Sequence, residues 1–93
     1  MHVATLRLEI RVRDCTAARV KRRRVRAIVE KLHRHFNVSV AEVDLREHPD
    51  EVVLAAAAVA ETRREAREPL GRIADAMAVH PRVELLSHDL IEV

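Results

Sequence analysis

The chain has 93 residues, of which 48% are hydrophobic and 34% are charged, with one glycine and three prolines. This length suits one domain over residues 1–93, and the apolar content excludes a disordered chain. No apolar run reaches the roughly 18 to 20 residues of a membrane span, and Arg7 and Glu9 interrupt the stretch where a signal peptide would be apolar. A lone cysteine, Cys15, excludes an internal disulfide. We therefore expect a cytoplasmic protein with no membrane partner.

The net charge of +2 hides an uneven distribution of charge along the chain. Residues 1–37 contain eleven Lys and Arg against three acids, whereas residues 38–93 contain six Arg against twelve acids. The two parts therefore carry net charges of +8 and −6. Such polarity is typical of a surface that binds nucleic acid, and equally of a solvated basic face that pairs with an acidic half.

Hydrophobic periodicity indicates the first three elements. Residues 5–13 alternate apolar and polar side chains, which predicts a half-buried strand. Apolar residues then recur at helical spacing from Val25 to Phe36, which predicts a helix over residues 17–36 with Asp14 or Thr16 as its N-cap. Residues 38–45 are rich in β-branched side chains and predict a second strand, with a shift in phase that a β-bulge would produce.

The second half of the chain begins with turn chemistry at residues 47–50. Residues 52–60 are continuously apolar: their alanines favour a helix by propensity, whereas their length fits a central strand. Residues 61–79 predict a helix with Thr62 as a candidate cap, and Pro69 and Gly71 predict either a kink or a start at Pro69. Residues 83–93 predict a last strand. The order β-α-β-β-α-β is that of an α+β ferredoxin-like sandwich, an antiparallel sheet with two helices on one face.

Two segments carry a resemblance to a known family. The basic triplet Lys21-Arg22-Arg23 precedes FNVSVAEVD at residues 36–44, and HPRVELL stands at residues 80–86. These segments resemble the small bacterial YlxP-like family, a domain of unknown function, and the similarity extends over nearly the whole chain. The resemblance implies a ferredoxin-like fold, and it therefore implies a strand at residues 52–60.

The resemblance also implies a cellular context. Genes of that family often lie beside genes for transcription-termination, translation-initiation and ribosome-maturation factors, which implies a role near RNA or the ribosome. This chain has Ala17-Ala18-Arg19 where the family usually has Ser-Leu-Lys, so only the basic position is kept. A role that requires the serine is not expected here.

The basic run at residues 19–26 contains the candidate nucleic-acid-binding residues. Cations at a helix N-terminus oppose the macrodipole, whereas guanidinium groups beside free backbone N–H groups suit a phosphate. Helical spacing places Lys21 and Arg22 near the edge of the core, which makes Lys21 the weaker candidate. The residues predicted to contact a nucleic-acid backbone are Arg19, Lys21, Arg22, Arg23 and Arg26.

The mode of binding follows from the scarcity of aromatic residues. Ferredoxin-like sheets that read RNA commonly stack bases on aromatic side chains of the open face. Phe36 is the one aromatic residue here, and its helical spacing places it in the core. We therefore expect contacts to phosphates, with a steep salt dependence and little sequence preference.

Catalytic and metal-binding interpretations are weaker. Cys15 precedes a helix and neighbours arginines that would stabilise a thiolate, but the sequence places no base near it. The six histidines have no metal-ligand spacing. The acids Asp44, Glu47 and Asp50 around the hairpin could bind a cation or simply be solvated. We expect a non-enzymatic protein with no metal and no small-molecule cofactor.

The alternative function is self-assembly. Residues 52–60 are apolar on both faces of their strand, so the open face of the sheet could be buried against a second copy of the chain. A two-fold homodimer is compatible with this alternative and with RNA binding alike.

Overall fold

The protein is built on a four-stranded antiparallel sheet, in a computed structural model that describes residues 1–93. The strands run in the order β2-β3-β1-β4. This is the expected ferredoxin-like α+β fold, and the ambiguous apolar segment is its third strand. The elements are β1 His2–Val12, α1 Ala18–His35, β2 Ser39–Asp44, β3 Glu51–Ala60, α2 Arg63–Ala78 and β4 Val83–Glu92.

The core lies between the sheet and the two helices. Alternate residues of β1, among them Leu6, Leu8 and Ile10, are at most 1% exposed. In register opposite them on β3 stand Ala56, Leu54 and Val52, which are also buried. Each buried Leu, Ile or Val contributes about 1.5 to 3 kcal/mol relative to an exposed one, so this face fixes the register of the sheet.

The two helices cover the core with apolar stripes. The buried residues of α1 include Val25, Ile28 and Leu32, at spacings of three and four. In α2 the same spacing buries Ala66, Leu70, Ile73 and Met77. Helix α1 contacts β1 and β2, and α2 contacts β1, β3 and β4.

The alanines of β3 show tertiary context overriding local propensity. Ala56 and Ala58 are buried on the helix side, and Ala55 and Ala57 are half-buried on the open side. Since β3 lies between β1 and β2, both of its edges are hydrogen-bonded. Strand pairing on two sides and burial outweigh the helix propensity of alanine.

The β2–β3 hairpin follows the sequence prediction. Its register shifts between Glu42 and Asp44, which confirms the β-bulge expected from the change of phase. A second irregularity, between Glu9 and Ile10 in the β1–β4 pairing, was not indicated by any pattern in the sequence.

The N-caps differ from the expectation for α1 and agree with it for α2. The N-cap of α1 is Ala17 with no side-chain hydrogen bond, so the assignment to Asp14 or Thr16 is wrong. Asp14 instead adopts a left-handed conformation with φ 52° in the preceding loop. In α2 the Thr62 hydroxyl oxygen accepts the backbone N–H of Glu65 at 3.2 Å, and the hydroxyl donates to the Glu65 carboxylate at 2.8 Å.

This capping box explains where α2 begins. The helix starts at Arg63 and continues through Pro69, so a start at Pro69 is wrong. Pro69 removes one intrahelical donor. The Thr62–Glu65 cap and the burial of Ala66 hold the first turn in place despite that loss.

We predict that Thr62→Ala lowers the free energy of unfolding by about 1 kcal/mol, because the first turn of α2 loses its cap. Thr16→Ala is the matched control, and it should change the stability by less than about 0.5 kcal/mol because Thr16 is exposed and caps nothing. Urea unfolding followed by circular dichroism measures both. Equal losses in the two variants would contradict the assignment of the caps.

Candidate nucleic-acid interface

The basic run lies on the first half of α1, and the helix orients its side chains. Lys21 and Val25 face the sheet and are buried. Val20 and Arg24 are half-buried, and the exposed positions of the run are Arg19, Arg22, Arg23 and Arg26. We call these four residues the arginine surface.

No member of the arginine surface lies within the 4.0 Å that defines an ion pair with a carboxylate. The arginines that do form ion pairs are Arg7, Arg11, Arg63 and Arg67. Beside the surface, Arg22 and Arg26 line a shallow groove together with side chains of both signs, namely Glu30, Glu42, Arg46 and Glu47. The arginine surface therefore borders Glu30 of α1 and the acids Glu42 and Glu47 on the side of the β2–β3 hairpin.

Lys21 has a different environment from its neighbours. It is 2% exposed, and its ammonium donates to the carbonyl oxygens of Leu45 at 2.8 Å, of Arg46 at 3.2 Å and of His48. All three donors of the ammonium are thus bonded to the loop between β2 and β3. We leave Lys21 out of the arginine surface, because its charge already has partners inside the protein.

Burial lowers the pKa of the Lys21 ammonium from its ordinary value, since the charged form loses hydration. The carboxylates of Glu42, Asp50 and Glu47 act in the opposite direction. The buried ammonium is therefore held by carbonyl dipoles and by nearby acids, with no single ion-pair partner.

A second cation of the run is also structural. The Arg24 guanidinium donates to the carbonyl oxygen of Arg13 and, at 3.0 Å, to that of Asp14. Asp14 and Leu45 are the two non-glycine residues with positive φ, 52° and 59°. Each of these two residues thus has its carbonyl oxygen bonded to a cation of α1. Sequence spacing placed Lys21 near the core edge but did not indicate either of these loop contacts.

The N-terminus of α1 differs from that of α2, which has a threonine cap and a glutamate in its first turn. The N-terminus of α1 has no side-chain cap and no acidic residue in its first turn. The positive end of the helix dipole is therefore not neutralised by an acid of the first turn, and it adds to the positive potential of the arginine surface.

The open face of the sheet is divided into a charged part and an apolar part. In the charged part, Arg11 bonds to Glu51 and Glu84, each at 3.2 Å, and Glu9 accepts from Ser87 at 2.8 Å. The hydrogen bond with Glu51 raises the pKa of Arg11. The hydrogen bond from the Ser87 hydroxyl lowers the pKa of Glu9, and a smaller effect of Arg7 acts in the same direction. These charged side chains have partners on neighbouring strands. We therefore assign them to stabilising the sheet and not to binding a ligand.

The apolar part of the open face lies at the opposite end of β1. In register, Val3 pairs with Val59 and Thr5 pairs with Ile91. Val59 is 62% exposed and Ile91 is 49% exposed. Together with Val93, which follows Ile91 by two positions, these residues form an exposed apolar patch.

Of the hairpin acids considered as cation ligands, only Asp50 forms an ion pair, with Arg11, and only Asp50 belongs to a cluster of potential ligands. His48, Asp50 and Glu51 bring their potential ligand atoms within 4.8 Å of one another. However, Nδ1 of His48 already accepts the backbone N–H groups of Asp50 and Glu51, and Arg11 lies 3.8 Å from Asp50 and 3.2 Å from Glu51. A metal ion at these carboxylates would be repelled by the Arg11 guanidinium, which contacts one oxygen of each.

Comparison with known proteins assigns the chain to a family. The pattern of the family described as "Protein of unknown function (DUF503)" matches residues 3–90. The chain belongs to this family. No curated protein matches it.

A solved structure supports the fold. The crystal structure of "Putative Chlorite dismutase TA0507" superposes on this DUF503 chain with a TM-score of 0.52 at 14% identity. The match covers 99% of this chain and 44% of the other, so the chain spans less than half the length of that protein. At this identity the likeness concerns the fold alone.

Neither helix of the present structure is long and apolar enough to cross a membrane.

We predict that Lys21→Met lowers the free energy of unfolding by roughly 2 to 3 kcal/mol, because three carbonyl oxygens lose the charged donor that joins them to α1. Arg22→Met, one position along the helix and exposed, is the control and should change the stability by less than about 0.5 kcal/mol. Chemical denaturation of both variants provides the comparison. A Lys21→Met variant as stable as the wild type would show that the ammonium does not hold the loop.

Proposed function

We propose that this DUF503 protein is a non-enzymatic cytoplasmic factor that binds RNA or a ribosomal surface through Arg19, Arg22, Arg23 and Arg26. The observation that carries the proposal is the arginine surface itself: four exposed guanidinium groups on two turns of one helix, without carboxylate partners. The resemblance to the YlxP-like family supports it, because genes of that family often lie beside genes for translation and ribosome maturation.

The proposed contacts are made to phosphates. A guanidinium group offers paired N–H donors that match phosphate oxygens, and the positive end of α1 favours the same charge. Phe36 packs against the core at the C-terminal end of α1, so the open sheet face offers no aromatic platform for bases. Binding is therefore governed by charge and by shape, with little dependence on base sequence.

The non-enzymatic part of the proposal rests on the surroundings of the thiol. Cys15 is half-buried, and its sulfur lies 3.8 Å from the Ala17 carbonyl oxygen. A carbonyl oxygen cannot take up the thiol proton, whereas thiolate catalysis requires a base or a lowered pKa. We assign Cys15 to packing beside the core.

We predict that replacing all four residues of the arginine surface by Glu abolishes co-sedimentation with ribosomes and bulk RNA. Wild-type binding should fall steeply between about 50 and about 400 mM salt, because each phosphate contact releases a counterion. The matched control replaces Arg34, Arg63, Arg64 and Arg67 by Glu. These residues are also exposed on the helices, and the change in net charge is the same.

The control variant should keep most of the binding if the contacts are local to the arginine surface. Equal losses in both variants would mean that only net charge matters, and absence of wild-type binding at low salt would overturn the proposal. Circular dichroism and thermal unfolding establish that each variant is folded before binding is compared.

A second candidate function is self-assembly, and the apolar patch at Val3, Val59, Ile91 and Val93 supports it. An exposed apolar patch on a sheet is a common site of association between identical chains. The patch lies on the open face, away from the helices, so self-association would leave the arginine surface accessible.

We predict for this candidate that the apparent mass rises above 10.6 kDa with protein concentration and that Val59→Lys/Ile91→Lys restores the monomer. Val79→Lys is the control, because Val79 is 80% exposed but lies at the C-cap of α2, outside the sheet. Light scattering after size exclusion measures the masses. A wild-type protein that stays at the monomer mass up to millimolar concentration would exclude this candidate.

A further inference from the structure

A groove of about 470 Å³ lies between the C-terminal parts of the two helices. Its buried lining consists of Ile28, Leu32 and Met77, which are 3% to 6% exposed, and half-buried Phe36 lies beside them. This volume is in the range of sites that take small organic molecules, and an apolar lining with a few polar groups is the usual composition of such sites. The groove therefore has the size and the lining of a ligand site.

The polar residues of the groove are all Lys, Arg or His. Lys31, His35 and Arg72 are exposed, His80 is half-buried, and none of the eleven lining residues is an acid. Neither Lys31 nor Arg72 takes part in an ion pair, in contrast to Arg63 and Arg67 of the same α2 helix. The rim thus carries positive charge that the protein does not neutralise.

Two contacts fix part of this rim. The guanidinium carbon of Arg72 lies 5.4 Å from the centre of the Phe36 ring, within the distance of a cation–π interaction. Nδ1 of His80 accepts the backbone N–H of Arg82 at 3.0 Å, which orients the ring. Burial, followed by the charges of Lys31 and Arg82, lowers the pKa of His80, so the ring is neutral at pH 7 and carries its proton on Nε2.

We propose that this groove binds an amphipathic organic anion: a small molecule with an apolar body and one carboxylate, sulfonate or phosphate group. The body packs against Leu32, Phe36 and Met77, and the anionic group pairs with Lys31 and Arg72. An uncharged ligand would gain no ion pair from these cations, and an inorganic anion would not cover the exposed apolar side chains of Val79 and Pro81, which also line the groove. No pattern in the sequence indicated such a ligand, because the residues that line the groove come from two separate segments, 28–36 and 72–81.

The proposal is independent of the arginine surface. Arg19, Arg22, Arg23 and Arg26 do not line this groove, which lies at the other end of α1. Variants of one site can therefore be assayed for the function of the other.

The test uses two fluorescent probes with similar aromatic bodies, of which only one is charged. The probes are 8-anilinonaphthalene-1-sulfonate and the uncharged N-phenyl-1-naphthylamine. We expect saturable binding of one sulfonate probe per chain. The probe should also raise the melting temperature, because it binds the folded protein; binding to partly unfolded protein would lower it. The uncharged probe should bind about tenfold more weakly or worse.

Two variants locate the site. The Lys31→Glu/Arg72→Glu variant should have an affinity for the sulfonate probe that is lower by about tenfold or more. The control Arg34→Glu/Arg64→Glu, which changes the net charge equally, should bind this probe as the wild type does. Ala76→Trp, which fills the groove from an exposed position, should block both probes without altering the charge. Ribosome co-sedimentation should be unchanged in the Ala76→Trp variant.

Three results would overturn the proposal. These are no saturable binding of the sulfonate probe to the folded wild type, equal affinity for the two probes, and undiminished binding in both the charge-reversed and the filled variant.

Discussion

The buried ammonium of Lys21 joins the first helix to the far hairpin, and the remaining geometry of the basic run depends on it. Three carbonyl oxygens of the β2–β3 loop converge on one charge. A buried cation is stable only when its donors are satisfied, so the helix and the loop must take up one relative position. The helix backbone that carries the exposed arginines is therefore held in one position relative to the β2–β3 loop.

The shortage of glycine explains why cations are used in this way. The chain has a single glycine, and it lies within α2, so the left-handed positions of two loops are taken by Asp14 and Leu45. A side chain in this conformation costs about 1 to 2 kcal/mol for an ordinary L-residue. Bonds from Arg24 and Lys21 to the carbonyl oxygens of these residues offset that cost. One basic segment thus contains both loop-stabilising and solvent-facing cations.

Most of the fold could be predicted from the sequence, because the spacing of apolar residues indicates the strands and helices. The alternation in β1, the helical stripes and the phase change in β2 are local signals that the structure retains. The cap of α1 could not be predicted, because the conformation of Asp14 depends on a contact with Arg24, ten residues away. The exposed arginines followed from helical spacing. The partners of Lys21 and the groove between the helices depend on how distant segments pack.

The central position of β1 has a consequence for the order of folding. The first strand of the chain pairs with β3 and with β4, and not with β2. Its partners are thus the third strand and the last, and the pairing with β4 joins residues separated by up to 88 positions, as between Ala4 and Glu92. Contacts of such long range form slowly. During synthesis on the ribosome, the strongly basic residues 1–37 are therefore made well before β4, and the full sheet can form only after the last strand has been synthesised.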